Sequence, residues 1–345
     1  MIPLKLAVIG AGHLGRIHAR LLRDQDDVSL VAVADPDPAA RRSVMDELQV
    51  ATVDHHDELL GHIDAAMVAA PTVHHAAIAR DLLRRGIHVF IEKPFTTTVA
   101  DADDLLRIAE DRRLIVQVGH VERYNPAFVA ATPLLQEVRH VEGVRANGYT
   151  CRSTDVGVVL DLMIHDIDLV LSLVDSPVVQ VQATGAVVLG PHEDMAEARI
   201  TFANGCVANL SASRLSLTSE RRMRFFSRDA YVAVDFGQKT ARAIRPSARL
   251  IHGVHLDQMT REQRDELKTR LFVDYLPASE LPVSNGNAIA DEQRDFLGSV
   301  RTGRPPRVTG QDARRALVVA AKIQAEIASF RRHRIDRPTE LRKAG

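Results

Sequence analysis

Residues 5–24 read KLAVIGAGHLGRIHARLLRD, and the change of period within them decides the fold. KLAVIG (5–10) is a short, partly β-branched apolar run that ends at a glycine, and HLGRIHARLLRD (13–24) carries its apolar residues at helical spacing. Between them Gly10, Gly12 and Gly15 fit G-x-G-x-x-G. A strand passing through that turn into a helix is the setting in which the fingerprint holds a dinucleotide. Glycines allow the tight turn and a close backbone approach, and the helix start, with His13 and Leu14, faces the pyrophosphate. Asp35 ends the next strand, LVAVAD (30–35), twenty residues after Gly15. A carboxylate there accepts from ribose hydroxyls and repels a 2′-phosphate, which favours NAD over NADP. Arg41 and Arg42, close by, pull the other way.

Outward from this stretch the pattern repeats. PAARRSVMDEL (38–48), HHAAIARDLLRRG (74–86) and VADADDLLRIAEDRR (99–113) are amphipathic helices, separated by the apolar runs AAMVAAP (65–71), HVFIEKP (88–94) and LIVQVGH (114–120). Such alternation predicts a parallel sheet covered on both faces, an N-terminal doubly wound Rossmann domain over residues 1–121. The character then changes. After predicted helices at 126–136 and 159–174 come VVQVQATGAVVL (178–189), EARITFA (197–203), CVANLSAS (206–213), RMRFFS (222–227) and AYVAVDF (230–236). Their alternating pattern predicts a large, mostly antiparallel sheet with one open face, in a C-terminal α+β domain over residues 122–345. An open face suits self-association, so a homodimer or homotetramer is expected. Residues 240–285 give no clear element, and a last helix is expected at 310–330.

Composition narrows the classes. The chain has 345 residues, 46% hydrophobic and 26% charged, with a formal net charge of −1. No basic excess points to nucleic acid or an anionic membrane. Two cysteines, Cys151 and Cys206, make no disulfide framework, and no apolar run is long enough to span a bilayer. The N-terminus enters LKLAVIG without a leader pattern. A soluble cytoplasmic protein is the expectation.

The chemistry-bearing residues gather after the strands. Lys93, in IEKP, ends a predicted strand on the ligand side of such a sheet. It is one of six lysines in an arginine-rich chain, and an ammonium can share a proton as guanidinium cannot. A solvent-exposed lysine at a strand end is the plainer alternative. GHVERYNP (119–126) brings His120, Arg123, Tyr124 and Asn125 to the same edge, although Tyr124 reads better as packing and the whole segment also suits a hinge. In VLDLMIHDIDLVLSLV (159–174) the apolar cover is broken by Asp161, His165 and Asp168 at i, i+4 and i+7, one wedge of an α-helix at about 100° per residue. Such groups line a cavity or pair with one another. No metal is expected, since His55–His56 and His74–His75 are adjacent pairs, and neighbours on a helix do not face together.

Together GAGHLG, APTVHH (70–75), IEKP, GHVERYNP and the D-x-x-x-H-x-x-D of Asp161, His165 and Asp168 resemble the glucose–fructose oxidoreductase/inositol dehydrogenase family, Gfo/Idh/MocA. The resemblance implies hydride transfer between NAD(P) and a secondary alcohol of a sugar or cyclitol. It implies Lys93, Asp161 and His165 as the catalytic set, with Asp161 orienting His165 and either His165 or Lys93 as base. Pro71, His75, Glu92 and Lys93 join the cofactor side, and His120, Arg123, Tyr124, Asn125 and Asp168 the substrate side. Many members carry glycine where this chain has Met163. TDVGVVLDLMIHDIDLVLSL (154–173), VGHVERYNP (118–126) and NGCVANLSASR (204–214) look instead like the branch that oxidises the C3 hydroxyl of UDP-N-acetylglucosamine with NAD, in the supply of diamino-sugar lipid A precursors. A pyrophosphate would need cations, for which Arg123, Arg152 and Arg214 are candidates. The alternatives are a dehydrogenase of inositol or another free sugar, and a NAD-binding regulator without turnover.

Overall fold

A computed structural model describes residues 2–150, 155–253 and 256–335. They form two compact units. The first holds residues 2–124, 155–168 and 287–321, and the second holds residues 125–150, 169–253, 256–286 and those from 322 onward. A boundary drawn by chain order at 121/122 therefore differs from the division by packing, in which two later segments return to the first unit.

The first unit is built on six parallel strands: β1 (Leu4–Ile9), β2 (Val28–Ala34), β3 (Thr52–Val53), β4 (Ala65–Val68), β5 (His88–Glu92) and β6 (Val116–Gly119). Their order, β3-β2-β1-β4-β5-β6, is that of a dinucleotide-binding doubly wound sheet. Leu6, Val8, Met67 and Phe90 are fully buried within the sheet, which accounts for their near-continuous apolar runs. Four helices follow the strands: α1 (His13–Arg23), α2 (Pro38–Leu48), α3 (Thr72–Arg84) and α4 (Val99–Arg112). Local chemistry sets their starts. Asp37 caps α2 through the Ala39 N–H with Pro38 in the first turn, and Thr98 caps α4 through the Asp101 N–H. The helix Ala288–Thr302, capped by Asn287, adds Phe296 and Leu297 to the same core.

The second unit carries an eight-stranded sheet of β7 (His140–Ala146), β8 (Val178–Ala186), β9 (Met195–Phe202), β10 (Val207–Ser213), β11 (Glu220–Phe226), β12 (Tyr231–Asp235), β13 (Thr240–Ile244) and β14 (Ala278–Glu280). The order is β14-β13-β12-β11-β7-β10-β9-β8, antiparallel except for the β7–β10 pair. Val141, Ile200, Leu210, Met223, Phe225 and Val232 bury one face, and their neighbours in each strand leave the other open.

Three stretches matter most among the differences from the sequence expectation. HVEGVRA (β7) is a central strand interrupted by Gly143, which hid its alternation. The stretch 240–285 holds β13, β14 and the helices Ala248–Gly253 and Arg261–Arg270. REQRDELKTR has no buried residue, so no apolar period marked it; its capping box, Thr260 with Gln263, was the readable signal. The third difference falls in the site. Residues Val159–Met163 form a π-helical turn, and the α-helix runs only from Ile164 to Leu173.

Candidate active site

The β1–α1 turn is shaped as a cradle. Gly10 has φ +107°, and a Cβ there would stand 2.6 Å from the Ala69 carbonyl oxygen. At Gly15 a Cβ would meet the Gly10 oxygen at 1.8 Å, so the helix closes on the strand only with glycine present. Gly12 faces open space, and no side chain caps α1, so the first N–H groups of the helix, from His13 and Leu14 on, are available to an anion. Asp35 is fixed by the Ala11 N–H at 2.7 Å on Oδ2 and the Asp37 N–H at 2.9 Å on Oδ1. Arg41 folds onto the same turn, donating to the carbonyls of Asp35 at 2.6 Å and Pro36 at 3.1 Å. This set of residues fits a dinucleotide with its ribose at Asp35. Pro71 opens α3, and His75, one turn in, bridges two strand-end loops: Nε2 meets the Ala70 carbonyl at 2.8 Å and Nδ1 the Pro94 carbonyl at 2.9 Å. Burial pushes the His75 pKa down, against the pull of both carbonyls.

Lys93 stands at the end of β5 with its side chain 16% exposed. Its Nζ donates to the Asp161 carbonyl at 2.8 Å and to Asp161 Oδ1 at 2.8 Å. The π turn presents a main-chain oxygen and a side-chain oxygen of one residue to a single ammonium, a local winding that π-bulges often contribute at functional sites. With three donors on the ammonium, one remains for a ligand. His165 lies half-exposed one residue into the α-helix, and His120, directly after β6, stands 6.3 Å from it, ring to ring at 90°. The wedge expected for Asp161, His165 and Asp168 is thus split: Asp161 turns to Lys93, while Asp168 is 1% exposed and bound on both oxygens by Arg123, at 2.7 and 2.9 Å.

Glu92 points inward. Its Oε1 takes the His18 Nε2 proton at 2.7 Å and its Oε2 the Lys93 backbone N–H at 3.2 Å. Burial opposes its charge, but the His18 hydrogen bond and the nearby Lys93 ammonium hold its carboxyl below the usual range. Gln293 donates to His18 Nδ1 at 2.9 Å and to the His18 carbonyl at 3.2 Å, which fixes the tautomer that gives Glu92 its proton donor. His18 and Gln293 escaped sequence reasoning because each sits on the buried side of an amphipathic helix, where no spacing distinguishes it. Glu292 did too. It is 1% exposed, and burial, with Glu92, Asp168 and Asp295 nearby, pushes its carboxyl well above the usual range.

The other expected substrate-side residues are internally engaged. Tyr124, 5% exposed, donates its hydroxyl to Asp295 at 2.8 Å. Asn125, in the second unit, caps the helix Pro126–Ala131 through the Ala127 N–H. Arg214, also in the second unit, joins Asp194 at 2.6 Å with both side chains buried. Arg152 lies outside the described residues. The geometric reason given against a metal does not hold at His55–His56. His55 is an extended helix cap, so the two rings approach to 4.4 Å with Asp57 beside them; His55 Nδ1 serves there as cap to the Asp57 N–H.

A glycine cradle with a carboxylate at the end of the next strand, on a sheet of this order, defines the Rossmann dinucleotide-binding class. Residues 4–120 match the oxidoreductase family with an NAD-binding Rossmann fold, GFO/IDH/MocA, and residues 135–232 match that family's C-terminal domain; the chain belongs to this family. It is 34% identical over 331 residues to the UDP-N-acetylglucosamine 3-dehydrogenase of Acidithiobacillus ferrooxidans, covering 96% of this chain and 99% of that one. The solved structure of the Acidithiobacillus enzyme superposes with a TM-score of 0.83 at 33% identity, over 96% of this chain and 99% of that one. An inositol 2-dehydrogenase of Rhizobium meliloti is 24% identical over 96% of this chain and 98% of its own length. GenD2 from gentamicin A biosynthesis, solved with NAD, shares the fold at a TM-score of 0.78 and 21% identity, over 96% of this chain and 95% of that one.

Proposed function

We propose that the protein oxidises the C3 hydroxyl of UDP-N-acetylglucosamine to the 3-oxo sugar with NAD, in the supply of diamino-sugar lipid A precursors. The observation that carries the chemistry is Lys93 Nζ held by the main-chain carbonyl and Oδ1 of Asp161 at the edge of the parallel sheet. The near end-to-end likeness to the Acidithiobacillus enzyme carries the choice of substrate. Bound nicotinamide supplies the hydride acceptor; the chain's own residues manage the alcohol. His165 takes the hydroxyl proton as general base. Lys93 donates its remaining N–H to the alcohol oxygen and stabilises the charge that develops there. Asp161 aims the ammonium. Asp35 selects NAD by meeting the ribose hydroxyls and disfavouring a 2′-phosphate. Self-association through the open face of the eight-stranded sheet makes the working form a homodimer or homotetramer.

The test is absorbance of NADH with purified protein, NAD and UDP-N-acetylglucosamine, with a coupled aminotransferase removing the 3-oxo product. Turnover that disappears in Lys93→Ala supports the reading; turnover of free inositol but not of the nucleotide sugar refutes it. One observation favours that second reading, an inositol or free-sugar dehydrogenase: Arg123 and Arg214 are each committed to a buried carboxylate, which leaves neither free for a pyrophosphate.

A further inference from the structure

His120 is 1% exposed, and neither of its ring nitrogens has a hydrogen-bond partner among the described residues. Burying an unmatched donor or acceptor is costly, because the group gives up its bonds to water without replacement. A phenyl or leucyl side chain would fill this space without that cost, so the presence of imidazole asks for a use of its nitrogens. The backbone there is held, the His120 N–H reaching the Val118 carbonyl at 2.8 Å. The neighbouring ring is that of His165, at 6.3 Å and perpendicular, with its Nδ1 shielded from solvent. Hydrogen bonds between catalytic groups are commonly long in the free protein and tighten when substrate binds. Asp161, expected from the sequence to orient His165, gives its carbonyl and Oδ1 to Lys93 instead.

We infer that His120 is a positioning residue for His165: one of its ring nitrogens accepts the His165 N–H that faces away from substrate, which leaves the other His165 nitrogen to take the alcohol proton. The inference rests on the catalytic reading above. Which imidazole nitrogen carries the proton is set by the bond made at the other, so an acceptor on the inner side fixes the tautomer. To accept, His120 must be neutral. Burial holds its pKa below the ordinary value; among the surrounding charges, Arg123 and Lys93 push the same way, and Asp168 and Glu92 oppose them. When His165 becomes cationic, its inner N–H remains donated to His120, and the proton taken from the alcohol stays on the outer nitrogen.

The experiment compares kcat, KM and their pH profiles for the parent enzyme, His120→Phe and His120→Gln, using UDP-N-acetylglucosamine and NAD. Phenylalanine keeps the packing and removes the acceptor; glutamine restores an acceptor oxygen. His120→Phe is expected to lower kcat about tenfold to hundredfold with KM little changed. The acid limb of kcat should move to lower pH, because an imidazolium without its acceptor is easier to deprotonate. His120→Gln should recover much of both. A phenylalanine variant with the parent rate and profile overturns the inference, as does equal impairment in both variants, which would assign His120 to packing alone. If the parent enzyme does not turn over this nucleotide sugar, the substrate reading fails separately. The ¹⁵N signals of His165 in the NAD-bound protein, assigned with His165→Gln, then decide: a tautomer change in His120→Phe supports the positioning role, and unchanged signals refute it.

Discussion

Lys93 and Asp161, 68 residues apart, meet twice: the ammonium lies 2.8 Å from the Asp161 carbonyl and 2.8 Å from its Oδ1. Asp161 lies within the π turn Val159–Met163 and offers both oxygens to the one ammonium. A lysine held this way points its last donor along one line, which is what a group stabilising a developing alkoxide requires.

Removing that donor should be felt in the chemical step. Lys93→Ala is expected to lower kcat by about 10²–10³, with NAD affinity retained because the Gly10–Gly15 cradle is untouched. Asp161→Asn should cost less, since its carbonyl still holds Lys93. Steady-state kinetics beside calorimetric titration of NAD separate these outcomes; equal losses in both variants would count against the twofold contact.

Cofactor choice is open to test at the β2–α2 turn. In the proposed function the Asp35 carboxylate meets the ribose hydroxyls and disfavours a 2′-phosphate; Arg41 is already folded onto that turn. Asp35→Ser should raise kcat/KM for NADP relative to NAD at least about tenfold, the size of a 1.4 kcal/mol change. An unchanged ratio would show that Asp35 does not discriminate.

The Arg123–Asp168 pair gives a stability prediction. Its side chains are 11% and 1% exposed, so Arg123→Ala strands a buried carboxylate. Breaking a buried pair from one side costs about 3–5 kcal/mol. Denaturant unfolding should show it at neutral pH, and Arg123→Ala Asp168→Asn should recover part of the loss. A midpoint unchanged in Arg123→Ala would contradict the burial.

Glu292 predicts a pH dependence. Its carboxyl is raised well above the usual carboxylate range by burial and by the neighbouring carboxylates of Glu92, Asp168 and Asp295. A folded pKa above the unfolded one adds stability that is complete below the unfolded pKa and is lost as pH rises toward the folded value. Glu292→Gln has no such dependence. Its stability relative to the parent should therefore rise from acid to neutral pH, read from denaturant midpoints at about pH 4 and pH 7.5. A difference independent of pH would mean that Glu292 ionises normally.

Much of the cofactor half was legible. Glycine spacing, alternation of strand and helix, and the residues after each strand follow from local sterics and burial, so G-A-G-H-L-G and the apolar runs announced β1, β2, β4, β5 and β6 in outline. The short edge strand β3 escaped, as did β7, β13 and β14, whose length or glycine content left little period to read. In the site, Lys93, Asp161, His165 and His120 could be singled out by type and place, but their partners could not. The expected pairing of Asp161 with His165 assumed α-helical winding at 159–174, and the π turn redirected Asp161 to Lys93. Arg123 looked available to phosphate because nothing in the sequence marks its bidentate hold on Asp168.

The sequence by itself determined the parallel sheet, the phosphate cradle and the inventory of chemical groups, because backbone geometry and hydrophobic period act over a few residues. Tertiary structure alone decided which polar and charged groups meet. Lys93 meets Asp161 across 68 residues, Arg123 meets Asp168 across 45, and Gln293 meets His18 across 275. Such pairings form where burial excludes water and leaves each polar group to find a partner within hydrogen-bond reach, a condition set by packing rather than by position in the chain.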